Sequence, residues 1–255
     1  MTRKASRADL AFIASLHRTA TRKEHGLFLA EGEKAMQELL ASHIQIKTIA
    51  CTTDYWEAHI AALQTFEVVT VSDAELQRIS TLTNPNQVLA VCHIPNFDAL
   101  RFIPQETTYL MLDHINDPGN MGTMIRTAEW FGVQAIITSP NSVDVWNPKV
   151  VQASMGSLFR LAIYQNSLTD AIHDAQKSGV PWIVGGVLGG QPLHQLNRMQ
   201  ESMVLVIGSE SHGISNVVLP LLTHRIAIAR HVDAPTESLN ASVAAGILLH
   251  HFCKQ

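Results

Sequence analysis

Short apolar runs and segments of helical period alternate along almost the whole chain. In the first part the pattern predicts helices over residues 5–17, 34–41, 56–63 and 73–79, with strands at 27–30, 44–50, 67–71 and 88–93. The stretch "PNFDALRFIPQET", residues 95–107, holds two prolines and no sustained period, so it reads as a linker. After it the alternation resumes: strands at 109–114, 134–138, 159–163, 182–187, 204–208 and 224–229, and helices at 121–131, 148–155, 168–178, 215–222 and 239–252. Strand and helix in turn imply a mostly parallel sheet covered on both faces. The expected organisation is therefore a small α/β domain over 1–94, a linker over 95–107 and a larger α/β domain over 108–255.

Composition narrows the class. The chain has 255 residues, 46% of them hydrophobic and 16% charged, enough to build one large core or two modest ones. Its longest apolar runs, such as "VAAGILL", fall far short of a membrane span, and the basic start lacks a signal-peptide cleavage site, so a cytoplasmic protein without membrane contact is expected. Cys51, Cys92 and Cys253 are too dispersed for a disulfide framework, and the 13 histidines show no metal-binding spacing, so no metal is expected. The net charge of −4 does not mark a nucleic-acid binder. Local charge differs: residues 1–34 hold seven basic side chains (Arg3, Lys4, Arg7, Arg18, Arg22, Lys23, Lys34) against four acidic ones. They form either a solvated helical surface or a face that contacts phosphates.

Three loops at predicted strand ends concentrate the chemistry. In "DHINDPGNMGTMIRTAEWFGV" Asn120 is placed to cap a helix, and Arg126 lies just over one turn into it, within reach of something held by the loop. The alternative is that Asn120 only caps and Arg126 only pairs with Glu129. In "VLVIGSESHGIS" a buried strand runs into a glycine turn centred on Glu210, a carboxylate that a phosphate cradle would not choose. It suits hydroxyl, amino or cationic partners, or it caps the helix behind it. In "PTESLNASVAAGILLHHF" Ser238 can cap, and Asn240 sits where a helix gains little from it. The glycines of "IVGGVLGG" lack dinucleotide-binding spacing, and no P-loop sequence occurs.

Taken in order, "DPGNMGTMIRTAEWFGV", "IGSESHGIS" and "SLNASVAAGILL" resemble the three motifs of the SpoU (TrmH-like) RNA ribose methyltransferases of the SPOUT class. The resemblance extends through "NPKVVQASMGSLFRL" and covers most of residues 108–252, while "FLAEGEKAMQELL" is similar to the ribosomal-protein-like substrate-binding domain that many members carry in front. It implies methyl transfer from S-adenosyl-L-methionine to a ribose 2′-oxygen, in a homodimer whose catalytic domain is closed by a trefoil knot. The cofactor is then expected on Val187, Leu188, Gly189, Ile207, Gly208, Glu210, Ile228, Ser238 and Leu239. The resemblance further implies catalysis by Arg126 with Asn120, Glu210, Ser238 and Asn240, and RNA contacts from Arg126. For the phosphate-contacting face of the N-terminal region, the expected residues are Arg22 and Lys23.

Two departures stand out. "IAR" at 228–230 replaces the usual Ile-Pro-Met, with a loop about two residues longer before Ser238, and Gln152 replaces a common basic residue. A guanidinium holds its proton too firmly to be a ready base, so Arg126 can act as proton acceptor only in a special environment; fixing a phosphate and stabilising an alkoxide is the other role open to it. The N-terminal domain points to ribosomal RNA. Transfer RNA, and a non-catalytic RNA-binding member of the family, are the alternatives.

Overall fold

The computed structural model describes residues 2–196 and 201–253, which form two compact units. The first unit takes residues 1–96 together with 144–160; the second takes 97–143 and 161–255.

In the first unit the strands are β1 (Thr2–Lys4), β2 (Leu27–Glu31), β3 (Ile46–Cys51), β4 (Val68–Thr70) and β5 (Val88–His93), in the order β1-β4-β3-β5-β2. The contacts of β4 are parallel and those of β5 antiparallel. Helices α1 (Arg7–Ser15), α2 (Thr19–His25), α3 (Glu33–Leu40), α4 (Thr53–Leu63) and α5 (Asp73–Ile79) accompany them, and the core includes Leu10, Leu29, Val69 and Val91. Ser6 with Asp9, and Ser72 with Glu75, close capping boxes that fix where α1 and α5 begin. Helix α2 and strand β1 were not expected. α2, "TATRKEH", has no apolar period and is set by its end, where Gly26 takes a left-handed conformation (φ 62°). β1 is three exposed residues at a sheet edge.

The segment 144–160, expected in the second domain, packs into this first unit. Phe28 lies 4.6 Å from Trp146 and 6.1 Å from Phe159, ring centre to ring centre, and the carboxylate of Glu38 receives Arg160. Arg22 is wholly buried. Its Nε and Nη2 donate to Asp144 Oδ2 at 3.0 and 2.5 Å, and Nη1 donates to the carbonyls of Leu16 and His17 at 2.9 and 2.8 Å. The expectation that Arg22 contacts RNA phosphate is therefore overturned: its donors are committed inside the protein. Lys23, next in sequence, is exposed.

The second unit holds a wholly parallel six-stranded sheet. Its strands are β6 (Thr108–Asp113), β7 (Ala135–Thr138), β8 (Ala162–Gln165), β9 (Trp182–Pro192), β10 (Met203–Gly208) and β11 (His224–Ala227), in the order β11-β9-β10-β6-β7-β8. Helices α6 (Pro118–Trp130), α8 (Leu168–Lys177) and α9 (Ala241–Phe252) belong to this unit, and α7 (Pro148–Ala153) to the first. The core clusters Tyr109, Met111, Ile137, Ile183, Val204 and Val206 with α8. The expected linker is not free chain: Phe102 is buried against Tyr109, whose hydroxyl accepts from Ile103 N at 2.8 Å, and Phe97 meets Tyr164. Phe97, Leu100 and Phe102, spaced too irregularly for an element, dock on the second core, while Ile103 stays exposed.

The helix expected over 215–222 shrinks to a 3-10 turn at Leu219–Leu221, because Pro220 and the β-branched pair Val217 and Val218 oppose a longer helix. The strand expected from 159 begins instead at Ala162, after a 3-10 turn at Ser157–Phe159.

Candidate active site

Three carboxyl ends of the parallel sheet converge. β6 and β10 run side by side in register, Gly208 opposite Asp113, so the loops that follow them start together. Ser209 and Gly213 form a bridge with a 2.9 Å hydrogen bond, folding the loop back over Gly208. A Cβ on Gly208 would meet the Gly213 carbonyl carbon at 2.1 Å, so no other residue fits without moving backbone. The buried carboxylate of Asp113 anchors the far side of this turn, accepting from Ser215 N at 2.8 Å.

Helix α6 starts differently from the expectation. Asp117 caps it, accepting from Asn120 N at 2.7 Å with Pro118 in the first turn, which releases the Asn120 side chain. That amide donates to Glu210 Oε1 at 2.5 Å. Asn240, in turn, is the cap of α9: its Oδ1 accepts from Ser242 N at 2.9 Å and Val243 N at 3.3 Å. The expected cap, Ser238, lies two residues upstream and is exposed. Asn240 Nδ2 donates to Asn120 Oδ1 at 3.0 Å, and Ala241 N donates to Glu210 Oε1 at 3.2 Å. Asn120, Glu210 and Asn240 thus tie the three loops into one hydrogen-bonded knot of side chains, with Glu210 accepting N–H donors from the other two segments. Charge-assisted bonds of this kind hold loops more firmly than neutral ones.

Beside this triad lies a cavity of about 1400 Å³. All nine residues expected to hold a cofactor, from Val187 to Leu239, line it together. Its walls combine backbone of the turns at 186–190 and 207–214 with the side chains of Leu188, Ile207, Leu239 and Leu248. Close backbone passage shapes the wall further: a Cβ on Gly190 would meet Arg225 and Ile226 backbone at 2.7 Å, where the pairing of β9 with β11 slips register. Arg230 and His231 of the longer loop also line the cavity, and Arg230 Nη1 donates to Thr236 O at 3.1 Å, bracing that loop.

Arg126 is exposed on α6, and no side-chain hydrogen bond or ion pair joins it to another described residue; the pair with Glu129 is not formed among them. Asp113 and Asp117 are site residues that sequence reasoning missed, and Arg230 was noted only as a departure from the usual loop sequence. Asp113 and Asp117 were legible as an aspartate at a strand end and one before Pro118, since Asp-Pro is a common helix start.

Residues 107–250 match the model of the SpoU rRNA Methylase family. The chain belongs to that family. Residues 9–90 match an MRM3-like substrate binding domain. Among curated relatives, the 23S rRNA (guanosine(2553)-2'-O)-methyltransferase RlmP of Bacillus subtilis is 29% identical over 92% of this chain and 92% of its own. A TrmH-family RNA methyltransferase structure from Porphyromonas gingivalis is 34% identical and covers 98% of this chain and 99% of its own, with a TM-score of 0.85. The AdoMet-bound rRNA methyltransferase of Sinorhizobium meliloti is 28% identical, covers 98% of this chain and 96% of its own, and has a TM-score of 0.87.

Proposed function

We propose that this SpoU-family chain transfers a methyl group from S-adenosyl-L-methionine to a ribose 2′-hydroxyl of ribosomal RNA. The observation that carries the reading is the Asn120–Glu210–Asn240 triad, which joins three loops beside one cavity and leaves Arg126 uncommitted nearby in sequence. The cavity fits the cofactor in kind: glycine turns expose backbone N–H and C=O groups to the polar edges of a nucleoside, and Leu188, Ile207 and Leu239 offer apolar surface to its ring. When bound, the cofactor would supply an electrophilic methyl on a cationic sulfonium, whose sulfur leaves as a neutral thioether.

The residues do the rest. Glu210 and Asn240 fix the loops around the cavity, and Asn120 sets the start of α6 relative to them. Arg126, a planar donor fork, holds the phosphate beside the reacting ribose and stabilises the oxygen as its proton passes to solvent water. Positioning accounts for much of such a rate, since an aligned hydroxyl reacts as if at very high local concentration.

The reading extends to the assembly. Trp130, 84% exposed, lies one helical turn beyond Arg126 on α6, and Val243 and Ile247 are exposed on α9, which packs against α6. An apolar face of this sort supports a homodimer, with Arg126 at its edge. The close backbone crossings at Gly208 and Gly190 are compatible with a trefoil knot in the C-terminal part. The domain over 9–90 would bind the RNA, Lys23 contributing a phosphate contact, and the enzyme would work in the cytoplasm without a metal.

The test is direct. Ribosomal RNA from a strain lacking the protein, incubated with enzyme and methyl-labelled cofactor, should gain one linkage that resists alkali, with the added mass on the sugar. Label on a base, with every linkage alkali-labile, would refute ribose methylation; no label and no cofactor binding by folded protein would refute the enzyme.

A further inference from the structure

At the carboxyl ends of β6 and β7, beside the loop that carries Asn120, sits a polar cluster with no assigned role. Its framework is hydroxyls and backbone: His114 N donates to Ser139 Oγ at 2.9 Å, Ile115 N to Ser142 Oγ at 3.2 Å, and Val143 N to Ile115 O at 2.8 Å. These bonds suffice to stitch the two loops together. On top of them stand two side chains that the stitching does not need.

His114 adopts a left-handed backbone (φ 56°), uncommon for a residue with a Cβ and worth reading as a sign of function. Its ring is 40% exposed yet held from both sides. Nδ1 contacts Asp113 Oδ1 at 2.6 Å, and that carboxylate is itself buried and fixed by Ser215 N. Nε2 meets Asn141 Nδ2 at 3.2 Å. A carboxylate on Nδ1 selects the tautomer with hydrogen there, so Nε2 accepts from the Asn141 amide and sets its orientation. Asn141 is exposed, and its carbonyl oxygen and second amide hydrogen have no partner among the described residues. A buried acid orients a histidine, and the histidine orients an amide towards solvent.

An oriented primary amide offers one donor and one acceptor side by side, the pair that reads a nucleobase edge, and an imidazole beside it offers a face on which an unstacked base can lie. From this we infer that His114 and Asn141 form a nucleobase-binding site for the nucleotide being methylated, with Asn141 reading the base and His114 positioning it. The inference rests on the RNA reading above. The base hangs from the ribose carbon next to the reacting one, so a base reader belongs at the same strand end as the residues that align the hydroxyl.

The experiment compares wild type with Asn141→Ala, Asn141→Asp and His114→Gln on ribosomal RNA from the deletion strain. It then uses four transcripts that differ only in the base at the mapped nucleotide. Wild type should methylate one of the four best. Asn141→Ala should lose about tenfold to a hundredfold in kcat/KM on that transcript and much less on the others, flattening the preference. Asn141→Asp, which swaps the donor for an acceptor at equal size, should change the order of the four, and His114→Gln should give a smaller flattening. Cofactor affinity by calorimetry and melting temperature should stay as in wild type. An unchanged order with kcat/KM within twofold would overturn the site, as would equal losses on all four transcripts or a loss of cofactor affinity in step with rate. An inactive wild type would instead refute the proposed function.

Discussion

Two helices, α2 in the first unit and α6 in the second, each carry an arginine that sequence reasoning assigned to RNA, and the structure treats them oppositely. Arg22 on α2 is enclosed, its guanidinium shared among Asp144, two carbonyls and Thr19 Oγ1. Arg126 on α6 is exposed and uncommitted. The difference lies in neighbours that are distant in sequence. Asp144 lies 122 residues beyond Arg22, so nothing near "TATRKEH" reveals that its charge is already answered. A count of basic residues measures supply of charge, and only the fold shows where that charge is used. Of the seven basic residues before position 35, Arg3 pairs with Asp9 and Glu67, Arg22 with Asp144 and Lys34 with Glu38.

The comparison breaks most visibly at Arg22. Arg22→Ala empties a fully buried site and leaves the half-buried Asp144 carboxylate without its partner, and breaking such a pair typically costs about 3–5 kcal/mol. The protein should melt about 10 °C lower. A melting temperature unchanged within a degree, with RNA affinity reduced, would restore Arg22 to the RNA surface.

Arg126→Ala should do the reverse: turnover falls roughly a hundredfold to a thousandfold, the size seen when one donor to a developing oxyanion is removed, while melting and cofactor affinity stay put. Arg126→Lys should recover little, because a point charge lacks the planar fork. Cofactor affinity falling in step with rate would move Arg126 into the cofactor cavity.

Glu210→Gln tests the triad between these extremes. It places an amide nitrogen or a weaker acceptor against Asn120 Nδ2 and Ala241 N, both donors, and should cost about 1–3 kcal/mol of loop order. Cofactor affinity and turnover should both fall by about tenfold or more. Unchanged cofactor affinity would mean that the triad does not shape the cavity.

What was legible follows from range. The triad's members were readable because Asn120, Glu210 and Asn240 each lie in a loop beyond a predicted strand, and strand ends of a parallel sheet share one rim. Their capping roles were misread: Asp117 and Asn240 take the caps assigned to Asn120 and Ser238, because several polar residues within one turn compete and geometry picks among them. The long strand β9 was cut short at its glycines, although "GGVLGGQP" continues the pairing through a register slip that only its partner β11 reveals. The failed helix at 215–222 was legible in principle from Pro220.

A pH scan gives a smaller effect within the first unit. Hydrogen bonds from Lys34, then Arg160, lower the Glu38 carboxyl below its ordinary range. A depressed acid stabilises the fold above its unfolded pKa of roughly 4.3 and loses that contribution as pH falls through the folded value. Glu38→Gln should therefore be less stable than wild type at pH 7, by up to about 1 kcal/mol for so accessible a network, and equal to it in strong acid. A stability difference that persists at the lowest pH would assign the loss to packing against Gly156 instead.

The smallest expected effect falls on the residue next to the buried arginine. Lys23 is exposed in the last turn of α2, and no hydrogen bond or ion pair joins it to another described residue, so its charge is available where that of Arg22 is not. If it meets one RNA phosphate, Lys23→Ala should leave melting and cofactor affinity unchanged and weaken RNA binding only a few-fold at moderate salt. The sharper readout is the salt dependence: one phosphate contact releases about one counterion, so the slope of log affinity against log salt should become shallower by about 0.7 to 0.9. Filter binding of the deletion strain's ribosomal RNA across a salt series measures it. An unchanged slope would mean that even the free charges of α2 form only a solvated surface, and that the RNA grip lies elsewhere in the chain.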